Sequence, residues 1–383
     1  MWRNIMNNKK REKVFVLISP KNRTVYNFRG ELIREIIQKG YKVYATGPNL
    51  IDIERIHKLG ACFIEIPNNK NGINIFSDLK YFFCLLKLFF KLKPEITLGY
   101  TVKPVIYASI AARIAGVKSV NAMITGAGYL FIAKTNKAKL LKKIVFILYS
   151  LGLKCARNII FQNADDKKEF IVNKLVSENK CYLINGSGVN MTKFSPTDYP
   201  KKISFFMLSR IMHSKGVKEY LEAARIVKRQ YQEVKFMLLG AIESIQDSIP
   251  QEFIKEYITD GTIEYYGETS DVKSYYSKCS IFVLPSYREG TPRTVLEAMS
   301  MKRPIITTDV PGCRETVIDG KTGFLIPHKD ANTLADKMIF FIENKEQIPI
   351  MGEAAFGYCK EKFDVRIVNK QILSILLNQQ NED

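Results

Sequence analysis

The sequence predicts an α/β protein of two doubly wound, Rossmann-like domains facing a central cleft. Short apolar runs of strand length alternate with helical stretches of ten or more residues, the pattern of right-handed βαβ units under a parallel sheet. The alternation comes in two sets, separated by the turn-rich Gly186-Ser187-Gly188-Val189-Asn190 and Phe194-Ser195-Pro196. At 383 residues the chain also exceeds one usual domain, so two cores are the natural reading.

Val14 to Ser19 is a compact apolar run suited to a buried parallel strand, and Phe28 to Gln38 follows with helical spacing, closing at Gly40. Tyr41 to Thr46, Ala61 to Ile66, Glu95 to Leu98 and Ser119 to Ile124 continue the strands. A helix over Ile75 to Leu92 and one begun by Pro104 lie between them. The second set runs through Ile203 to Leu208, Val234 to Leu239, Thr262 to Tyr266, Ser280 to Leu284, Pro304 to Thr308 and Gly323 to Ile326. Domains are therefore expected at 1–190 and 191–361, with a last helix over about 362–383 packing back on the first. No repeat or low-complexity tract interrupts the pattern.

The chain carries 58 Lys and Arg against 38 Asp and Glu, a net +20 that favours anionic partners: nucleotide diphosphates, an anionic membrane surface or nucleic acid. The nucleic-acid reading is set aside because the aromatics lie in apolar helical runs rather than basic surface strips. Seven scattered cysteines show no Cys-x-x-Cys pair and no nearby His, so they read as buried thiols of a reducing cytoplasm, with no metal set. Met1 to Arg11 is basic without an apolar core behind it, and no run reaches the roughly 18 apolar residues of a membrane span. Neither export nor a bilayer crossing is expected.

In parallel sheets ligands sit beyond the carboxyl ends of strands, so the residues following each strand are the chemical candidates. After Ile281 to Leu284 come Glu289, Gly290, Thr291, Pro292, Arg293 and, within the next helix, Glu297. Thr291 and Pro292 read as N-cap and first helical position, so free backbone N–H groups beside Gly290 offer an anion site under two carboxylates. After Leu208 come Arg210 and Lys215, a fork and a point charge able to neutralise a diphosphate. Thr125-Gly126-Ala127-Gly128 ends a first-domain strand and lets backbone approach a phosphate or acceptor.

The spacing of Glu289 and Glu297 resembles the Glu-x7-Glu signature of retaining glycosyltransferases of family 4, whose two-domain arrangement is the GT-B fold. Arg210 and Lys215 with the Lys-Gly-Val continuation, Tyr266-Gly267 with Asp271, Pro311-Gly312-Cys313-Arg314-Glu315, Asp319-Gly320 and Thr322-Gly323-Phe324 extend the likeness over most of 203–343. Within the family the chain is similar to enzymes that extend undecaprenyl-diphosphate-linked saccharides from a UDP-sugar, of the N-acetylgalactosaminyltransferase type. The resemblance implies metal-independent transfer of a hexose or N-acetylhexosamine, with retention, from a UDP-sugar to a lipid-linked saccharide of a bacterial surface glycan. No cofactor is implied beyond the donor itself.

The resemblance also assigns roles. Arg210, Lys215 and the helix start at Thr291 to Arg293 would stabilise the departing diphosphate, Glu289 would orient the donor sugar as the central catalytic carboxylate, and Glu297 would hold the ribose hydroxyls. Gly267 would border the base. Front-face attack by the acceptor hydroxyl, its proton passing to the leaving phosphate, is the expected route; a covalent intermediate on Glu289 would need a second carboxylate as acid. Two departures stand out. Ser19-Pro20-Lys21-Asn22 replaces the Gly-rich first loop, and none of His57, His213 and His328 occupies the first-domain position where many members place a histidine. Tyr100, Thr101 and Lys103 are candidates for that place, as is an ordinary strand end. A GT-B epimerase or hydrolase is the alternative, and it would need a water-activating or proton-accepting group.

Ile75 to Lys93 interleaves Tyr81, Phe82, Phe83, Leu85, Leu86, Leu88, Phe89 and Phe90 with Lys80, Lys87, Lys91 and Lys93. Lys137 to Lys154 sets Leu140, Leu141, Ile144, Val145, Ile147, Leu148 and Leu151 beside Lys142 and Lys143. Such helices either pack in a core with snorkelling lysines or lie on anionic lipid. The second reading makes the chain a cytoplasmic protein held peripherally on the inner face of the membrane.

Overall fold

A computed structural model of the chain describes residues 12–68, 74–126, 136–243 and 247–377, with side-chain surroundings from 143 onward in the helix that opens at 136. Two parallel sheets organise them. The first contains β1 (Lys13–Ile18), β2 (Tyr41–Gly47), β3 (Cys62–Glu65), β4 (Ile96–Tyr100), β5 (Ser119–Ile124), β6 (Asn158–Phe161) and β7 (Cys181–Leu183), in the spatial order β3-β2-β1-β4-β5-β6-β7. The second contains β8 (Ser204–Leu208), β9 (Lys235–Leu239), β10 (Glu264–Tyr265), β11 (Ile281–Leu284), β12 (Ile305–Thr308) and β13 (Gly323–Ile326), ordered β10-β9-β8-β11-β12-β13. This is the GT-B arrangement of two Rossmann-like sheets. β6, a short run opened by Asn158, and β7, a three-residue edge strand with two exposed residues, fall outside the sequence reading.

Each strand order reverses direction at one place, between β1 and β4 in the first sheet and between β8 and β11 in the second. Helices leaving such neighbours go to opposite faces of the sheet, which opens a crevice at the strand ends. The crevice of the second sheet is floored by the loops after β8 and β11, the two segments that carry Arg210, Lys215 and Glu289.

The central strands are buried on both faces, as continuous runs such as Phe-Val-Leu-Ile in β1 and Ile-Phe-Val-Leu in β11 require, while the edge strands β3, β7 and β10 are partly exposed. The helix begun by Pro104 opens with a π-helical turn, Pro104–Ala108, before the α-helix Ser109–Ile114. On one face of the first sheet, Ile75–Leu92, Ser109–Ile114 and Asn136–Cys155 form a single helical layer. Tyr81, Leu85 and Phe89 meet Val14, Val16 and Ala111, while Val145 and Tyr149 meet Val105 and Phe161. The helix Val365–Leu377 returns to the first domain, burying Val368 and Ile372 beside Leu32 and Ile36 and hydrogen-bonding Asn369 to Glu35 at 2.7 Å.

Candidate active site

A cleft of about 840 Å³ lies between the sheets, lined on one side by residues following β1 and β2 and on the other by residues following β8, β9, β10 and β11. Arg210, Lys215, Glu289, Pro292, Arg293 and Glu297 all line it.

Lys215 closes the 3-10 turn His213–Lys215, and Gly216 then turns the chain into the helix Val217–Lys228 with φ of 72°. A Cβ at Gly216 would lie 2.0 Å from the carbonyl oxygen of Pro285, so only glycine lets the Lys215 loop sit against the Glu289 loop. The Lys215 ammonium then donates to Glu289 Oε1 at 2.5 Å, and Ser286 Oγ donates to the same oxygen at 2.8 Å. Both partners are largely enclosed, at 17% and 16% side-chain exposure, so the pair is less screened than a surface one. Arg210 is more open and pairs with Glu243 at 3.1 Å, while Lys21, from the first domain, meets the other oxygen of Glu243 at 3.4 Å.

Glu297 projects one turn below Arg293, whose Nε donates to Glu297 Oε1 at 3.1 Å; Tyr276 donates its hydroxyl to Oε2 at 3.1 Å. Burial raises the Glu297 pKa above the ordinary glutamate value, against the opposing pull of Arg293. The Arg293 guanidinium also donates to the carbonyl of Asn27 and stacks over Phe28, 5.4 Å from the ring centre, so this side chain ties the two domains together.

Several expectations are corrected. The helix begins at Arg293 with Pro292 as its N-cap, and Thr291 does not cap it: its hydroxyl donates to the Gln162 carbonyl at 2.9 Å. Gly267, Gly290 and Thr291 are not among the residues lining the cleft. Gly267 supports the wall from behind, its carbonyl accepting from the Gly240 N–H at 2.6 Å. Thr125 and Gly126 are occupied by protein, because the Gly290 backbone fills the approach that a phosphate would need: a Cβ built on Gly290 would lie 2.2 Å from the Thr125 carbonyl oxygen. Ala127 and Gly128 lie outside the described residues.

Tyr100, Thr101 and Lys103 do not line the cleft either. The Tyr100 hydroxyl is buried against Ser19 Oγ at 2.6 Å, and Lys103 pairs with Asp78 at 2.6 Å under the helical layer. Sequence reasoning named Lys21 only within the departing first loop and missed Arg23, Asn27, Glu243 and Glu268; all five are on the cleft wall. Arg23 and Glu268 pair across the domains, as do Lys21 and Glu243. Arg23 follows the same strand end as Lys21, so the rule that strand ends face the ligand would have flagged it. Among the described residues, no group of three or more His, Cys, Asp or Glu is placed to hold a metal ion.

Known proteins share both the sequence and this architecture. Residues 191–357 match the family described as Glycosyl transferases group 1, and residues 16–163 match Glycosyl transferase 4-like. An N,N'-diacetylbacillosaminyl-diphospho-undecaprenol alpha-1,3-N-acetylgalactosaminyltransferase of Campylobacter jejuni is 29% identical over 337 residues, covering 84% of this chain and 88% of that protein. A UDP-Gal:alpha-D-GlcNAc-diphosphoundecaprenol alpha-1,3-galactosyltransferase of Escherichia coli is 27% identical over 298 residues, covering 73% and 74%. The crystal structure of HepE from Anabaena, in complex with UDP and glucose, superposes with a TM-score of 0.77 at 15% identity, over 94% of this chain and 98% of that one. With its earlier half matching the 4-like family, its later half matching group 1, and both sheets in the GT-B order, the chain belongs to the glycosyltransferases.

Proposed function

We propose that the protein transfers a hexose or N-acetylhexosamine from a UDP-sugar to a lipid-linked saccharide, with retention at the anomeric carbon and without a metal ion, in building a bacterial surface glycan. One observation carries this reading: Lys215 and Glu289 meet at the topological switch point of the second sheet, in the same cleft as Arg210. A cation and a carboxylate in contact there suit a ligand bearing both a diphosphate and sugar hydroxyls. The relatives from C. jejuni and E. coli, whose names specify diphospho-undecaprenol acceptors, support the acceptor class, and the E. coli name supports a UDP-sugar donor.

In this reading the donor diphosphate draws Lys215 and Arg210 away from Glu289 and Glu243. The freed Glu289 carboxylate then accepts hydrogen bonds from the sugar hydroxyls, and Glu297 accepts from the ribose. The bond between the anomeric carbon and the phosphate oxygen breaks as the acceptor oxygen bonds to the same face of that carbon. The acceptor's hydroxyl proton passes to the leaving diphosphate. Charge growing on the diphosphate is neutralised by Arg210 and Lys215, which supply the stabilisation a divalent ion would otherwise give.

The helical layer of the first domain supports a membrane-held acceptor and a peripheral position on the inner face of the cytoplasmic membrane. Phe76, Leu79, Phe83 and Phe90 are exposed at spacings of three, four and seven, one stripe down the helix Ile75–Leu92, and Phe76 is 86% exposed. Ile144, Ile147 and Leu151 form a second exposed stripe on Asn136–Cys155. Exposed Lys80, Lys87, Lys91 and Lys143 flank them. Across 74–126 and 136–157 the acidic residues are Asp78, buried against Lys103, and the half-buried Glu95. Apolar stripes in a field with almost no exposed carboxylate suit anionic lipid. Among the described residues, no helix is long and apolar enough to cross a membrane.

The decisive experiment supplies several UDP- and GDP-sugars with an undecaprenyl-diphosphate-linked saccharide, with and without chelator. UDP release that requires the acceptor, survives chelation and yields a product with the donor's anomeric configuration supports the proposal. Release without acceptor identifies a hydrolase, and an inverted product overturns retention.

A further inference from the structure

We propose that Asn163 and Asp166 of the first domain are positioning residues for the Glu289 carboxylate, so that the donor sugar is engaged only while the two domains are seated together. The proposal rests on Glu289 being the group that meets the donor sugar.

The two residues flanking Glu289 are both held by the opposite domain. Arg288, only 13% exposed, pairs with Asp166 and, at 2.6 Å, with Glu169. On the other side the Gly290 carbonyl accepts from Asn163 Nδ2 at 2.9 Å, and the Gly290 backbone packs on Thr125 and Gly126. Asn163 and Asp166 form one unit. Asn163 Oδ1 caps the helix Ala164–Val172 by accepting from the Asp166 N–H at 2.7 Å, and its amide donates to Asp166 Oδ2 at 3.0 Å. Within its own domain, among the described residues, the Glu289 backbone is anchored by its N–H donating to the Pro311 carbonyl at 3.0 Å.

A side chain's direction is set by the peptide planes on either side of its Cα. The plane after the Glu289 Cα carries the Glu289 carbonyl, which accepts from Asn163 Nδ2 at 3.4 Å beside the shorter bond to Gly290, and the plane before it follows Arg288, whose side chain Asp166 and Glu169 hold, so the first domain helps to aim a carboxylate that belongs to the second. Separation of the domains would strip a guanidinium of its carboxylates and a carbonyl of its amide, leaving the backbone on both sides of Glu289 looser, with the carboxylate held only through Lys215 and Ser286, the groups from which a bound donor would draw it. A misplacement of about 1 Å at a reacting group costs on the order of a hundredfold in rate. The latch therefore acts on turnover rather than on UDP binding.

The test uses Asn163→Ser in the full-length protein. Serine keeps an oxygen to cap the helix, so stability is retained, but it is too short to reach the Gly290 carbonyl. Expected are a melting temperature close to the parent's, a kcat lower by about tenfold or more, and a UDP dissociation constant within about twofold. Hydrogen exchange of the peptide spanning 286–292 should quicken several-fold. Asp166→Asn, which weakens the hold on Arg288, should shift kcat and exchange the same way. Unchanged exchange overturns the latch, and so does quickened exchange with parental kcat. A loss of UDP affinity matching the loss of kcat/KM also overturns it, because the residue would then act on the donor pocket. If the parent transfers no sugar, the reading of Glu289 fails while exchange alone still decides whether the first domain holds the loop.

Discussion

The ammonium of Lys215 and the carboxylate of Glu289 are 74 residues apart in the chain and 2.5 Å apart in space. They meet because β8 and β11 are neighbours, each delivering its following loop to the same crevice. Each group neutralises the other, and under the proposed function the donor offers an anion for the lysine and hydroxyls for the glutamate.

Removing either half should therefore damage turnover. Arg210→Ala and Glu289→Ala are each expected to lower kcat/KM by about a hundredfold or more, the scale for losing one group that stabilises developing charge. His57→Ala, at the end of a short helix away from the cleft wall, should leave it within about twofold. Steady-state assays of UDP release with acceptor present check all three, and a fully active Arg210→Ala would overturn the site.

Gly290 tests the domain contact without a backbone penalty, since its φ is not in the left-handed region. A Cβ there meets the Thr125 carbonyl oxygen at 2.2 Å, well inside contact distance, so Gly290→Ala must push the first domain back. The expected outcome is a fall in kcat of about tenfold or more with UDP affinity nearly intact, read by kinetics beside calorimetry.

Glu297 should impose a pH limit. Burial raises its pKa in the folded protein, so it takes up a proton at a higher pH than in the unfolded chain. As pH falls, the carboxylate that would accept the ribose hydroxyls is lost, and UDP affinity should drop from a pH above the ordinary glutamate value. Linkage gives the opposite sign for stability. Between the unfolded and folded pKa values the native state binds more protons, so this group's contribution to stability declines as pH rises through that window. Glu297→Gln should flatten the acidic limb of UDP binding measured by titration calorimetry.

The exposed stripes predict binding to vesicles. The protein should cosediment with anionic but not zwitterionic vesicles, and salt should weaken it. Phe76→Glu with Phe83→Glu should reduce partitioning by about tenfold or more, since each lost phenyl contact is worth roughly 1.5–3 kcal/mol when fully buried. Transfer to a short-chain soluble acceptor should survive the same changes. Equal binding by the double variant would place the membrane contact elsewhere.

The two parallel sheets, the cleft at their strand ends and the segments after β8 and β11 as the chemical ones are legible in the order of the amino acids. Strand-length apolar runs and helical periodicity are local, and so is the Glu-x7-Glu spacing. That order did not reveal β6 and β7, the last strands of the first sheet, nor the true helix start at Arg293. Tertiary structure alone decided which distant groups meet: Lys215 with Glu289, Lys21 with Glu243, Arg288 with Asp166. It turned the Thr125-Gly126 turn from a ligand approach into a seat for Gly290. Which loops become neighbours follows from the order in which strands pair and the angle at which two domains close. Those choices are settled by burial summed over both cores, a quantity that no short stretch of residues contains.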